Sequence, residues 1–445
     1  MKRYPAYKNS GVEWIGEIPE HWTNSKIKYN TYVKGRIGWQ GLTTSEYIDE
    51  GPFLVTGTDF KKGVVDWTTC HHVSEDRYDQ DEYIQLQEND LLITKDGTIG
   101  KIALAKNLQA KATLNSGVFV TRPRNGTYTN DFMFCILNSK IFDEYIEFIK
   151  TGTTISHLYQ NTFVEFAYPL PGTAEQKQIA NYLHHKTHLI GTLIEKKQKQ
   201  IELLQEQRAA IINQAVTKGL NSSVKMKDSG IEWLGEVPEH WNILKLKHLL
   251  RVKDGTHATP PYIVPSELAY PLVTSKDIKN GNIDFSEAKF ISEEDHFEVN
   301  KRSDVQEGDV IMPMIGTIGN PAIVKTARKF SIKNVALFKS SNSPVGPRYI
   351  CFFLLSDCVA KQFNLLSRGG VQGFVSLDIL RNLVAFKLSQ NEQKQTVKHL
   401  DLVTTKINNN INAINTIIER LSEYRTTLIS NVVTGKIDVR DEVIP

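Results

Sequence analysis

The sequence predicts an α+β protein in which two tandem-duplicated globular domains are separated by two long helices, with the helices forming an antiparallel coiled coil of pseudo-twofold symmetry. Two observations predict this fold. A unit of roughly 220 residues occurs twice in the 445-residue chain, and each copy ends in a proline-free segment with heptad-spaced apolar residues. Internal repeats of this kind govern the assignment of every other element.

The repeat is visible as four blocks that return in the same order at an offset of 217 to 219 residues. The pairs are KNSGVEWIGEIPEHW (8–22) with KDSGIEWLGEVPEHW (227–241), LVTGTDFKKGVVD (54–66) with LVTSKDIKNGNID (272–284), ENDLLITKDGTIG (88–100) with EGDVIMPMIGTIG (307–319), and EQKQ (175–178) with EQKQ (392–395). Four matched blocks at a nearly constant offset indicate a tandem duplication.

The first part of each copy, 1–172 and 221–389, combines short alternating runs such as DLLIT and GVFVT with glycine and proline turns. This pattern is typical of a compact α+β domain. The remaining segments, 173–220 and 390–445, are the predicted long helices, the second with a short tail. A chain of this length is expected to form more than one core.

Neither 174–217 nor 391–434 contains a proline, and Gly191 is the only glycine in them. Alternating spacings of three and four residues are typical of a coiled-coil seam, which Lys197 and Arg208 interrupt in the first helix. The alternative is a long helix packed on its own domain, but the narrow apolar stripe favours packing of the two helices on each other. Helices of ~44 residues would span about 65 Å. The seam residues are Leu183, Ile190, Ile194, Ile201, Leu204, Ile211, Leu400, Ile407, Ile411, Ile414, Ile418, Leu421, Leu428 and Val432.

The composition, with 40% hydrophobic and 23% charged residues, is typical of a globular protein, and the net charge of +3 does not by itself identify a nucleic-acid binder. The start MKRYPAYKNS lacks a signal-peptide pattern, and no apolar run approaches the ~20 residues of a membrane helix. We therefore expect a cytoplasmic protein without a membrane partner. The four cysteines form no CxxC pair, which argues against a disulfide framework or a thiolate zinc site.

Motifs that could carry catalysis are incomplete. GTIGK (97–101) lacks the spacing and the Ser or Thr of a phosphate loop, and TPPY (259–262) has Thr259 where an amino-methyltransferase needs Asn or Asp. HHKTH (184–188) lacks the glutamate of a zinc protease, and CHH (70–72) lacks a second ligand pair. We therefore expect no catalytic residue and no metal site.

The repeated blocks identify a family. SGVEWIGEIPEHW, the GDxL…GTIG pattern and the Pro169 to Ile179 segment that opens a long helix resemble the DNA specificity subunit of type I restriction–modification systems. KDGTHATPPY (253–262) and GRIGWQGL (35–42) also resemble openings of the target recognition domains in that family. The resemblance covers essentially the whole chain, although FKLSQNEQKQ before the second helix lacks the prolines of the first copy.

The resemblance implies a non-catalytic subunit whose two target recognition domains each read one half of a bipartite, asymmetric DNA site through the major groove. The helices would set the spacer and dock two methyltransferase subunits, which bring S-adenosylmethionine. Restriction subunits with ATP and Mg would join the assembly, and this chain would bind no cofactor. The alternatives are a coiled-coil protein scaffold without DNA specificity and a self-sufficient DNA enzyme; the latter would need a cofactor loop or a carboxylate cluster.

Base edges carry the sequence information of DNA, so unlike residues within matched loops are the candidates for specific contacts. The matched pairs Asp59/Asp277 and Gly63/Gly281 are expected to form turns instead. The candidate DNA-binding residues are Lys34, Arg36, Thr56, Thr58, Lys61, Lys62, Lys95, Thr98, Lys253, Thr256, His257, Ser275, Lys276, Lys279, Thr317, Arg368 and Gln372.

Overall fold

The protein is described here from a computed structural model, which covers residues 2–36, 42–150, 157–316, 318–341, 343–366 and 373–444. Its contacts divide the chain into two compact units. The first unit comprises Met1–Lys197 and Asn415–Pro445, and the second comprises Gln198–Ile414. Both units mix helices with sheets, and each long helix contributes one part to each unit, so the predicted fold class is confirmed.

The elements of the first unit alternate short strands with short helices before the first long helix. The strands are Tyr7–Asn9 (β1), Glu17–Pro19 (β2), Thr23–Lys26 (β3), Thr31–Gly35 (β4), Ile48–Val55 (β5), Phe60–Lys61 (β6), Val64–Val65 (β7), His71–His72 (β8), Leu91–Thr94 (β9), Ile102–Leu104 (β10), Ala112–Leu114 (β11), Val118–Pro123 (β12) and Ala167–Leu170 (β13). The helices are Ile27–Asn30 (α1), Glu75–Asp79 (α2), Asn130–Leu137 (α3), Lys140–Lys150 (α4), Gln160–Phe163 (α5) and Thr173–Lys218 (α6).

The main sheet of the first unit has the strand order β4-β12-β9-β10-β7-β6 and is antiparallel except between β10 and β7. A smaller sheet, β11-β5-β8, supplies part of a second apolar cluster that also includes Leu92 and Val120 of the main sheet. The opposite side of the main sheet contributes Leu91 and Ile93 to a larger core with α3, α4 and α6.

The second unit repeats this sequence of elements. Its strands are Met226–Asp228 (β14), Glu236–Pro238 (β15), Asn242–Lys245 (β16), Arg251–Asp254 (β17), Tyr270–Val273 (β18), Ile278–Lys279 (β19), Asn282–Ile283 (β20), Lys289–Ile291 (β21), Val310–Pro313 (β22), Ala322–Ile323 (β23), Ser331–Ile332 (β24), Val335–Lys339 (β25) and Val384–Lys387 (β26). Its helices are Glu293–Arg302 (α7), Pro347–Leu354 (α8), Asp357–Leu366 (α9), Leu377–Asn382 (α10) and Gln390–Val433 (α11).

The sheets of the second unit have the orders β17-β25-β22-β23 and β21-β18-β24, while β19 and β20 pair with each other. Here the β19–β20 hairpin stands beside the main sheet, whereas its counterpart β6–β7 joins the main sheet of the first unit through β10. The two units therefore share a frame and differ in how the hairpin is attached.

The third repeated block, 88–100 and 307–319, opens with a turn before a central strand of each main sheet. Asp90 accepts a hydrogen bond from the backbone N–H three residues earlier at 2.7 Å, and Asp309 does the same at 2.9 Å. Each carboxylate also binds a cation of the neighbouring strand, Arg122 at 2.7 Å and Lys339 at 2.7 Å. The buried strands that follow, LLIT and VIMP, are apolar runs as expected for central strands.

The repeated EHW block anchors the end of a long helix in each unit. Trp22 and Trp241 are both fully buried. Each helix ends at a glycine with positive φ, Gly219 at +77° and Gly435 at +71°, as in a left-handed C-terminal cap. A Cβ atom at Gly435 would lie 2.3 Å from Cδ of Pro19, so the close packing of this helix end on the block requires glycine.

The two long helices run antiparallel inside each unit. In the first unit Leu183, near the start of α6, shares a core with Leu428, near the end of α11. In the second unit Ile212, near the end of α6, shares a core with Leu400, near the start of α11. All fourteen predicted seam residues are buried or half-buried, and the coiled coil is confirmed. Both helices begin at equivalent positions, so the missing prolines do not shift the start of α11.

None of the individual helices in the described ranges is long and apolar enough to cross a membrane. The bent pair α8 and α9 would reach that length and composition together. However, the residues from Tyr349 to Leu354 of α8 are all buried in the core of the second unit.

Candidate nucleic-acid interface

A tight hairpin forms in each unit at the second repeated block, β6–β7 in the first and β19–β20 in the second. Its two tip residues have positive φ in both copies: 51° and 81° at Lys62 and Gly63, and 51° and 73° at Asn280 and Gly281. Two consecutive left-handed residues define a type I′ turn, which suits the twist of a β-hairpin. The tips thus share one backbone shape, and the exposed side chain at the tip differs between the units.

The predicted lysines of the hairpin strands are paired with carboxylates. Lys61 Nζ lies 2.9 Å from Asp66 Oδ2, and Lys279 Nζ lies 3.0 Å from Asp284 Oδ2. Hydrogen bonds from Thr68 and Lys61 lower the pKa of Asp66 to about 2. The acidic partners hold both lysines on the hairpin, so a phosphate contact by either lysine would replace an existing ion pair.

Lys62, at the tip of the first hairpin, forms a longer-range pair. Its Nζ lies 2.6 Å from Oε1 of Glu195 on α6, and both side chains remain largely exposed. The pair connects the hairpin of the first unit with the long helix. An exposed pair of this kind contributes little stability.

The turn before each hairpin is closed by the matched aspartates. Asp59 Oδ2 accepts hydrogen bonds from the backbone N–H and the hydroxyl of Thr56, both at 2.8 Å. Asp277 binds Thr274 in the same way at 2.7 and 2.8 Å. The structure therefore places these aspartates in turns, and it places the Thr56 hydroxyl inside a capping box, with the Thr58 hydroxyl 2.7 Å away.

The glycine loop after β9 carries two further candidates. Lys95 is 8% exposed, with its Nζ 5.4 Å from the centroid of the Phe119 ring, so it lies beneath the loop rather than on it. Thr98 is exposed, and its carbonyl accepts a hydrogen bond from the Thr94 hydroxyl. Of the two candidates, Thr98 is the one on the surface.

The segment after β17 holds an ordered polar cluster in the second unit. The buried carboxylate of Asp254 accepts hydrogen bonds from Arg302 Nε at 2.8 Å and Nη2 at 2.9 Å. It also lies 3.0 Å from His257 Nε2, while His257 Nδ1 lies 2.8 Å from Asn334 Oδ1. These contacts engage both ring nitrogens and hold the exposed imidazole just after β17, the edge strand of the main sheet.

The other candidate residues of the second unit are held by fewer or longer polar contacts than His257. Lys253 Nζ lies 3.4 Å from the carbonyl of Ser303, and the Thr256 hydroxyl lies 3.4 Å from the carbonyl of Ala258. Ser275 and Lys276 belong to the turn before the second hairpin, and Lys276 is exposed. Thr317, Arg368 and Gln372 lie outside the described residues, as does 37–41 of the GRIGWQGL motif.

Arg36 lies in the interior of the first unit. It is 1% exposed, and it donates hydrogen bonds to the Leu114 carbonyl at 2.8 Å and to the Thr113 hydroxyl at 3.2 Å. Burial lowers the pKa of its guanidinium. Lys34, on β4 two residues before Arg36, is half-buried with its Nζ 5.3 Å from the centroid of the Tyr83 ring. In this conformation Arg36 cannot reach a base edge.

Sequence reasoning missed the pairs that span the glycine loops. His157 Nδ1 binds Asp96 Oδ1 in the first unit, and Ile315 pairs with Phe374 at the matching position of the second. These partners are about 60 residues apart in sequence, so no local pattern reveals the contact. The only signal was that the loop sequences TKDGTIG and PMIGTIG differ at Asp96 and Ile315.

The seam of the coil contains a polar contact in the second unit. Arg208, which interrupts the heptad pattern, donates a hydrogen bond from Nη1 to Asn408 Oδ1 at 2.7 Å. Within the described ranges no group of three or more His, Cys, Asp or Glu side chains is placed to hold a metal ion. All four cysteines are free, and burial raises the pKa of each thiol.

Comparison with known proteins gives a consistent result. Residues 41–203 match the family model described as type I restriction modification DNA specificity domain. The MjaVIII specificity subunit of Methanocaldococcus jannaschii is 27% identical over 435 residues, which cover 95% of this chain and 95% of that protein. The EcoKI specificity subunit of Escherichia coli is 19% identical over 436 residues, covering 95% and 90% of the two chains.

Solved structures show the same fold. A chain from work on complex assembly and conformational transition of the type I R-M system superposes with a TM-score of 0.71 at 12% identity, covering 94% of this chain and 99% of that chain. The HsdS subunit from Thermoanaerobacter tengcongensis gives a TM-score of 0.52 at 12% identity, with 94% and 98% covered.

Proposed function

Since the chain belongs to the family of type I restriction–modification DNA specificity subunits, we propose that it is the DNA-recognition subunit of such a complex, with each unit reading one half of a bipartite, asymmetric site. One observation carries the bipartite part of this proposal. The two units share their frame, down to the φ angles of the hairpin tip, yet differ in the side chains that the hairpins and glycine loops expose. A common frame with unlike loops suits two readers of unlike sequences.

The reading mode is direct readout in the major groove, where each base pair presents a distinct pattern of donors, acceptors and methyl groups. The exposed candidates Thr58 and Thr98 carry hydroxyl groups that can contact base edges, whereas His257 would do so by exchanging its present contact with Asp254 or Asn334. The lysines of the hairpins would contact phosphates, which fix the register but carry no sequence information.

The long helices set the spacer between the two half-sites and dock two methyltransferase subunits. Their seam faces are buried, but each helix retains exposed apolar residues that a partner could cover. These residues are Leu189, Leu193 and Leu203 on α6, and Leu402, Ile417 and Tyr424 on α11. A partner subunit that covers several of these side chains together would bury apolar surface, which favours association.

The chain acts in this proposal without catalytic activity or a cofactor of its own. S-adenosylmethionine would be bound by the methyltransferase subunits, and ATP and Mg by the restriction subunits. We expect the complex to act in the cytoplasm. Net charge of only +3 suits a reader whose partners supply much of the phosphate binding.

Base methylation tests the proposal directly. Random-sequence DNA is exposed to the methyltransferase subunit that is encoded beside this chain and to S-adenosylmethionine, with and without this chain. We expect methylation of a bipartite motif with a fixed gap only when the chain is present. Methylation by the chain alone would show that the chain is itself an enzyme. Methylation without sequence preference, with an active partner, would instead favour the role of a protein scaffold.

A further inference from the structure

The glycine loops of the two units are held by the same backbone contacts. In the first unit the carbonyl of Lys95 accepts a hydrogen bond from the N–H of Leu158 at 2.7 Å. In the second unit the carbonyl of Met314 accepts one from the N–H of Val375 at 2.9 Å. The next residues then face each other in an antiparallel bridge, Asp96 with His157 and Ile315 with Phe374. The two bridges therefore occupy matching positions.

The chemistry at these matching positions is opposite. The first unit has a hydrogen-bonded Asp96–His157 pair, with the ring of Tyr159 4.6 Å from the imidazole. The second unit has two large apolar side chains, Ile315 and Phe374, which are 40% and 42% exposed. Two adjacent apolar side chains left this open expose surface whose burial by a ligand would be favourable.

The apolar pair adjoins the polar cluster around His257. The N–H of Met314 donates a hydrogen bond to the carbonyl of Asn334 at 3.1 Å, and the side chain of Asn334 lies 2.8 Å from His257. The end of β22 and the start of β25 are antiparallel neighbours, so these groups lie beyond the same end of the two inner strands of the main sheet. This end of the strands thus combines an apolar pair with an oriented imidazole.

We propose that Ile315 and Phe374 contact the C5-methyl group of a thymine in the half-site that the second unit reads. This inference rests on the proposed function. Thymine is the base that presents a methyl group in the major groove, and apolar side chains recognise it there. The polar Asp96–His157 pair, whose side chains are hydrogen-bonded to each other, offers a methyl group no apolar surface at the matching position of the first unit.

A protein partner fits this position less well. Two copies of one methyltransferase subunit require like surfaces on the two units, as the His21–Glu175 and His240–Glu392 pairs are, both at 3.1 Å. A position that is charged in one unit and apolar in the other does not meet that requirement. Two unlike half-sites, in contrast, require positions that differ.

Uracil substitution provides the test, because uracil pairs like thymine but lacks the methyl group. The recognised motif is first determined with the complex of this chain and its methyltransferase subunit. Each thymine of the motif is then replaced singly by uracil, and binding of the complex is measured. We expect one position in one half-site where uracil weakens binding about fourfold, the value of one buried methyl group.

Variants then identify the contacting residues. Phe374→Ala and Ile315→Ala should weaken binding to thymine DNA, while uracil at the sensitive position should weaken it no further, since both changes remove one contact. His157→Ala is the matched control and should leave the uracil effect unchanged. Thermal unfolding of each variant verifies that the chain remains folded.

The outcomes separate this inference from the proposed function. Absence of any bipartite motif would overturn both. A clear motif without a uracil-sensitive position, or additive effects of uracil and Phe374→Ala, would overturn the thymine contact alone. So would a Phe374→Ala variant that stays folded but fails to assemble with the methyltransferase subunit, because the pair would then bind protein.

Discussion

The indole Nε1 of Trp241 donates a hydrogen bond to Oε1 of Glu392 at 2.9 Å, which connects the EHW block to the start of α11. Its counterpart Trp22 is equally buried, but its Nε1 has no hydrogen-bond partner. In the first unit the matching carboxylate, Glu175, instead accepts a hydrogen bond from Tyr4 at 2.6 Å. The same motif is thus satisfied by different donors in the two units.

This difference predicts unequal costs for the same substitution. Both Trp241→Phe and Trp22→Phe shrink a buried ring, but only Trp241→Phe removes a hydrogen bond to a carboxylate, which contributes about 1–3 kcal/mol. We expect Trp241→Phe to lower the thermal unfolding midpoint by several degrees more than Trp22→Phe. Calorimetry of the two variants checks this, and equal shifts would contradict a stabilising role for the bond.

The seam of the coil predicts a second contrast, between neighbouring leucines of α11. Leu400 is fully buried, whereas Leu402 is 57% exposed. Leu400→Ala should lower the free energy of unfolding by about 2–5 kcal/mol because it leaves a cavity. Leu402→Ala, the control, should change it by less than about 0.5 kcal/mol. Urea unfolding measures both, and similar losses would show that the burial pattern is wrong.

The tip of the first hairpin predicts an effect on salt dependence. If Lys62 contacts a phosphate, Lys62→Ala should reduce the slope of log binding constant against log salt by about 1 in the assembled complex. Glu195→Gln should strengthen binding, since it frees Lys62 from its carboxylate partner. Lys111→Ala is the matched control, since Lys111 is likewise paired with a carboxylate, Glu75, at 2.6 Å. It should leave the slope unchanged. Unchanged binding in both Lys62→Ala and Glu195→Gln would remove Lys62 from the interface.

His296 predicts acid sensitivity of the second unit. Burial lowers the pKa of His296, Lys329 lowers it further, and the ring is stacked on Tyr270 at 3.9 Å. The unfolded chain therefore takes up this proton before the folded chain does, so stability falls as the pH drops below about 6.5. His296→Asn should flatten the change in unfolding midpoint between about pH 7.5 and about pH 5.5. His248 is exposed, so His248→Asn should not flatten this change. An equal change in midpoint with pH in His296→Asn and in the unsubstituted protein would contradict the prediction.

The sequence predicted the elements that a local pattern specifies. The seam of α6 and α11 was visible because apolar spacing alone determines a coil, and the turn role of Asp59 and Asp277 followed from residue type. The burial of Arg36 and Lys95 was not visible, because it depends on strands and rings brought in from elsewhere. Similarly, the Asp96–His157 pair arises from the tertiary fold. Which candidates contact DNA stays a prediction.

The chain segments that make up each unit determine the order in which the two units can fold during synthesis. The second unit is one continuous stretch, Gln198–Ile414, so all of its residues are synthesised before the segment from Asn415 onward that completes the first unit. The first unit needs Leu428, Val432 and Val439 in its core, more than 200 residues after its other part. The domain translated first is therefore expected to reach its native state last, and it would depend longest on chaperones.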